Sequence, residues 1–95
     1  MSMPNISLSQ KARQSEEVLF QELNGEGVLL DLASESYFGL NQVGTRIWAL
    51  IGEDPSLRRA FDRLRAEFDV EPQRLESDII ALIQEMADAG LVHVT

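Results

Sequence analysis

Between Gly27 and Ile51 the chain changes its apolar period, and that change restricts the fold more than any other feature. Over Gly27 to Leu32, GVLLDL, the pattern suits an extended strand, whose side chains point alternately to opposite faces. Val28, Leu30 and Leu32 then share one face, expected to be core, and Leu29 and Asp31 share the other. From Asn41 onward Val43, Ile47, Leu50 and Ile51 recur at helical spacing, with Trp48 beside them. A strand that runs so quickly into a helix requires the helices to pack back on the sheet.

The residues before this joint supply a partner strand. Glu17 to Leu23, EVLFQEL, is rich in Val, Leu and Phe, and the Asn24-Gly25 that follows is a strong signal for a tight hairpin. Ala33-Ser34-Glu35 reads as a polar turn, and Ser36 to Leu40 as a third short strand. There Phe38 and Leu40 share one face, while Tyr37 and Gly39 point the opposite way. In a three-stranded meander this third strand is an edge, a row of unpaired backbone donors and acceptors open to another strand. The same edge offers a route to a homodimer.

Three helices follow. Asn41 is a good N-cap for the first, which Gly52 ends, and Ser56 caps a second with a stripe of Leu57, Phe61, Leu64 and Phe68. Pro72 suits the first position of a third helix that runs to Gly90. Leu75, Ile79, Leu82, Ile83 and Met86, widened by Ile80 and Ala87, span roughly 160° of that helix, against the stripe of about 100° that a one-sided helix needs. Leu91 to Val94 reads either as a short terminal strand or as a packed tail. The expected fold is α+β: a three-stranded antiparallel sheet followed by three helices on one face of the sheet, a set of elements that also admits a winged helix-turn-helix-like arrangement. Residues 1–14 are polar, contain Pro4 and read as a flexible arm docking through Ile6 and Leu8; residues 15–95 read as a single domain.

Composition narrows function by exclusion. A chain of 95 residues hides only about 60–65% of its unfolded surface, enough for one modest core. The absence of cysteine excludes disulfides and thiolate-held metals. The N-terminus lacks the layout of a secretory signal, so a cytoplasmic protein is expected, and the longest uncharged apolar run, Ile47 to Gly52, is far short of a membrane span. His93 is the sole histidine, near the C-terminus and without ligand spacing around it, and no serine sits in a nucleophile elbow. No catalytic set, metal or cofactor is expected. Sixteen acidic residues against eight basic ones leave a net charge of −8, which opposes a phosphate backbone. Arg58, Arg59, Arg63 and Arg65 are a local exception, interrupted by Asp62 and Glu67, and they keep a winged-helix DNA-binding regulator as the alternative.

The stretch VLLDLASESYFGLNQVGTRIW, then Leu57, Phe61 and Phe68, then EPQRLESDIIALIQEMADAGLV, resembles the PqqD-like proteins, also called RiPP precursor recognition elements. The resemblance covers roughly residues 15 to 92. Tyr37 to Asn41, Val43-Gly44, Arg46 to Trp48 and Asp78 carry it most specifically. It implies a non-catalytic adaptor that binds the leader segment of a ribosomally made precursor peptide and presents its core to modifying enzymes, a peptidase, cyclase or radical enzyme. It further implies that the leader adds as a strand to the third strand and lies against the third helix. By position this points to Tyr37, Phe38, Gly39 and Leu40 for the strand, and to Arg74, Leu75, Asp78, Ile79 and Leu82 for the groove. DLASESYFGLN is closer to the free-standing lasso-peptide-type members than to the PqqD of pyrroloquinoline quinone assembly.

Overall fold

A computed structural model describes residues 6–95; the first five residues of the expected N-terminal arm lie outside the described residues. The element order is β1 (Ala12–Gln14), β2 (Val18–Leu23), β3 (Glu26–Asp31), β4 (Ser36–Leu40), α1 (Gln42–Glu53), α2 (Leu57–Glu67), α3 (Pro72–Asp88) and β5 (Val92–Val94). Strands β2, β3 and β4 form an antiparallel sheet in that order, and β1 pairs with β5 as a separate ribbon. The protein is therefore α+β, with a three-stranded antiparallel sheet followed by three helices.

Local chemistry sets the joints. Asn24 and Gly25 both have positive φ, 56° and 83°, the geometry of the two-residue turn whose twist matches its flanking strands. Leu23 and Glu26 close that hairpin, and the register runs on to Val18 opposite Asp31. At the β4–α1 corner Asn41 Oδ1 accepts from the Gly44 amide at 2.8 Å, satisfying one of the free donors at the helix start. The Thr45 hydroxyl donates to the Asn41 carbonyl and accepts from the Gly27 amide, both at 2.8 Å, and so fastens α1 to β3.

The core lies among the helices. Ile47, Leu57, Leu64, Ile79 and Ile83 are essentially inaccessible, and Trp48 is buried beside them as its spacing predicts. Each such side chain contributes about 1.5–3 kcal/mol on burial. Leu29 and Leu40 join this core from the sheet.

Two sequence readings change. On β3 the buried residues are Gly27, Leu29 and Asp31, while Val28 and Leu32 are 42% and 51% exposed. The alternation is as expected but its sense is inverted. Gly27 lies against the Thr45 hydroxyl and the Phe20 ring, so that a Cβ there would require the ring to shift, and Leu29 shares this inward face. Asp31 tolerates burial because its carboxylate is used locally, accepting from the Ala33 amide at 3.2 Å and from the Ser34 hydroxyl at 2.8 Å. The second concerns residues 6–14, read from sequence as an arm docking through Ile6 and Leu8: Leu8 is buried and Ile6 packs on the core as expected, and strand pairing is added to that docking. Ala12 is also buried in the core, β1 pairs with β5, the Ala12 amide donates to the Pro55 carbonyl at 2.8 Å, and Gln14 Nε2 donates to the Trp48 carbonyl at 2.7 Å. A polar segment with few apolar residues holds its place here through backbone pairing, which leaves little trace in hydropathy.

Candidate functional site

Among the described residues, strand β4 has a neighbour on one side only. Which of its backbone groups face the open side follows from the hairpin. In an antiparallel ladder directly opposed residues alternate between pairs that exchange hydrogen bonds and pairs that do not. The two-residue turn makes Leu23 and Glu26 a bonded pair, so Glu26, Val28 and Leu30 face β2, and Gly27, Leu29 and Asp31 face β4. Their partners on β4 are Leu40, Phe38 and Ser36. The backbone groups of Tyr37 and Gly39 are left at the free edge. Tyr37 is 77% exposed, and a side chain at Gly39 would meet nothing within 4 Å.

Beside this edge runs a cleft between β4 and α3. One part, about 270 Å³, is lined by Phe38, Gly39, Leu40 and Asn41 on one wall and by Leu82 and Glu85 on the other. An adjoining part of about 320 Å³ adds Val43, Asp78 and Ala81. Gly44 forms the floor where α1 meets both walls. A Cβ there would sit 3.3 Å from Asn41 Oδ1, from Leu40 Cδ2 and from Leu82 Cδ2, so a larger residue would push the walls apart. The inward side chains of β4, Phe38 and Leu40, are half-buried and buried, and the cleft is apolar at its base and polar at its rim.

The residues named from sequence divide by depth. Tyr37, Phe38, Gly39 and Leu40 lie along the edge, and Asp78 and Leu82 border the cleft. Arg74 is exposed one turn further along α3, in a neighbouring depression with Asp69, Glu71 and Asp78. Leu75 and Ile79 are 1% and 0% exposed, so their side chains belong to the core and offer no contact surface. Sequence reasoning missed Val43, Gly44, Ala81 and Glu85. The helical signal for two of them was present, since Asp78, Ala81, Leu82 and Glu85 recur at three- and four-residue spacing on one face. The α1 pair Val43-Gly44 stood out only as part of the family motif, and its place in the cleft depends on how α1 crosses α3.

The arginines of α2 do not gather into one free basic face. Arg58 and Arg65 lie over the Phe61 ring, 5.8 and 5.7 Å from its centroid, and Arg59 approaches Asp54 at 3.7 Å. Elsewhere Arg46 grips Glu67 in a two-bond fork of 2.9 and 2.6 Å. The hydrogen bond from Arg46 holds the Glu67 carboxyl below its ordinary range, and the same bond raises the Arg46 guanidinium. Among the described residues no group of three or more His, Cys, Asp or Glu side chains is placed to hold a metal, and no helix is long and apolar enough to cross a membrane.

The family model for coenzyme PQQ synthesis protein D (PqqD) matches residues 26–92, from β3 to the first residue of β5. The chain belongs to the PqqD family. Two solved structures share the fold of this PqqD-family protein. One is TbiB1 in complex with the TbiA(beta) leader peptide, at 32% identity and a TM-score of 0.80, covering 85% of this chain and 94% of that one. The other is a lasso peptide synthetase B1 complexed with the leader peptide, at 26% identity and a TM-score of 0.77, covering 87% and 98%. Among curated proteins none matches this sequence.

Proposed function

We propose that this PqqD-family protein is a non-catalytic adaptor that binds the leader segment of a ribosomally made precursor peptide and presents it to modifying enzymes in the cytoplasm. The observation that carries the reading is the free β4 edge with a cleft running beside it. An extended peptide paired with Tyr37 and Gly39 gains main-chain hydrogen bonds of about 0.5–1.5 kcal/mol net each, and its alternate side chains enter the cleft. Phe38, Leu40, Val43 and Leu82 supply the apolar contacts, Asp78 and Glu85 the polar rim, and Arg74 a flanking charge. Leu75 and Ile79 support this wall from beneath. The two leader-bound B1 structures of the same fold support the reading, and a lasso-type precursor is the class it favours. The local engagement of Arg58, Arg59 and Arg65 speaks against the DNA-binding alternative.

The test is calorimetric titration with the leader encoded beside the gene, paired with amide chemical shifts. Saturable binding with shifts concentrated at residues 36–41 is expected. Absence of binding, together with unmoved amides there, sinks the proposal. Light scattering decides whether the same edge joins two copies instead: a concentration-dependent dimer that peptide does not dissociate assigns the edge to self-association.

A further inference from the structure

We infer that the cleft selects a leader carrying a lysine or arginine at an inward-facing position, its alkyl stem over Leu82 and its cationic head at Glu85, with Asp78, two turns away on α3, adding to the negative rim. The inference rests on the strand-addition reading and names the chemistry that the cleft would choose. Side chains of an added strand alternate, so every second residue points to the same side as Phe38 and Leu40, into the cleft. What such a residue meets is mixed in a particular way. The base is apolar, Asn41 stands at the rim, and among the described residues Asp78 and Glu85 are the only charged ones lining the two adjoining parts. Among the described residues no lysine, arginine or histidine lines either part.

The two carboxylates are largely unspent. Arg74 is the only cation near Asp78, at 4.0 Å with both side chains mostly exposed, and Glu85 makes no ion pair among the described residues. An acidic ligand residue is repelled here, and a short apolar one leaves the rim unused. A long amphipathic cation matches both parts of the lining, because its methylenes cover apolar surface while its head stays at the polar margin. The net charge of −8 adds attraction at long range for a basic peptide.

The experiment selects binders from a displayed random peptide library on the wild type and on the double variant Asp78→Asn, Glu85→Gln. Both positions are exposed, so the variant keeps its fold, which an amide spectrum verifies. The wild-type pool is expected to alternate apolar residues and to enrich Lys or Arg at one inward position; the variant pool keeps the alternation and loses the basic enrichment. A synthetic peptide from the wild-type pool is expected to bind the variant about three- to tenfold more weakly at low salt. That gap narrows at about 1 M salt, where charges are screened within about 3 Å. Equal basic enrichment in both pools overturns this inference and leaves strand addition standing. A wild-type pool without alternation, whose peptides leave the amides of residues 36–41 unmoved, overturns strand addition and this inference together.

Discussion

The β1–β5 ribbon and the β2–β3–β4 sheet are both small and antiparallel, yet they differ in what covers them. In the ribbon Ala12 and Val92 are buried, and further backbone hydrogen bonds tie Ala12 to Pro55, Gln10 to Leu57 and Ser15 to Leu91. The larger sheet sits at the side of the helices. Leu19, Leu30 and Tyr37 line up across it on the outer face, with Leu23, Val28 and Leu32 on the same side, and five of these six are exposed. One β element closes the body, and the other leaves an edge and a face for something else. Completeness of pairing and burial, more than secondary-structure type, separates scaffold from candidate working surface.

The largest expected effect tests the closed side. Leu91 is 2% exposed beside the ribbon, so Leu91→Ala should cost roughly 2–5 kcal/mol in urea unfolding while the folded fraction still binds peptide. A loss under about 0.5 kcal/mol would show that the closure contributes little, since that is the scale of surface changes. On the open side, Gly39→Pro removes a backbone donor that faces away from β3. It should weaken leader binding by tenfold or more, about 1.4 kcal/mol, with unfolding nearly unchanged. Wild-type affinity in the folded variant would place the peptide elsewhere.

A smaller effect probes the Arg46–Glu67 fork between α1 and α2, which borders a depression shared with Glu22 and Gly25 of the β2–β3 hairpin. Its carboxylate has a folded pKa below the unfolded value, so its stabilisation is present above the unfolded pKa and fades as pH falls through the folded one. Glu67→Gln should therefore lower stability at neutral pH by at most about 1 kcal/mol, because the pair is partly exposed. The deficit should vanish in acid; a deficit that persists there would assign it to packing. The smallest effect is Leu23→Ala on the open sheet, where 77% exposure limits the change to within about 0.5 kcal/mol. Set against Leu91→Ala, it is the same chemical change on the other kind of β surface, and similar costs would erase the contrast.

Much of the fold was legible because its joints are local. Asn24-Gly25 needs no tertiary partner to prefer its turn, Asn41 and Ser56 cap helices with their own side chains, and Pro72 sits at the start of α3 where its missing donor costs nothing. The candidate edge at residues 36–40 was legible for a related reason: the last strand of a meander has one neighbour. The α3 wall was legible only in part. Its apolar arc is genuine, but Leu75 and Ile79 spend their side chains in the core, whereas Ala81 and Glu85 border the cleft.

From its own residues this chain determined the switch from strand to helix, the hairpin register and the helix starts, because each depends on neighbours a few positions away. Only the tertiary structure decided which face of β3 turns inward, that residues 12–14 pair with β5, and that Gly44 of α1 floors the cleft. Periodicity fixes an alternation but not its sense. The sense is set by what packs against the strand; Thr45 and Phe20 meet Gly27 on the inward face, and no spacing along the chain records that contact.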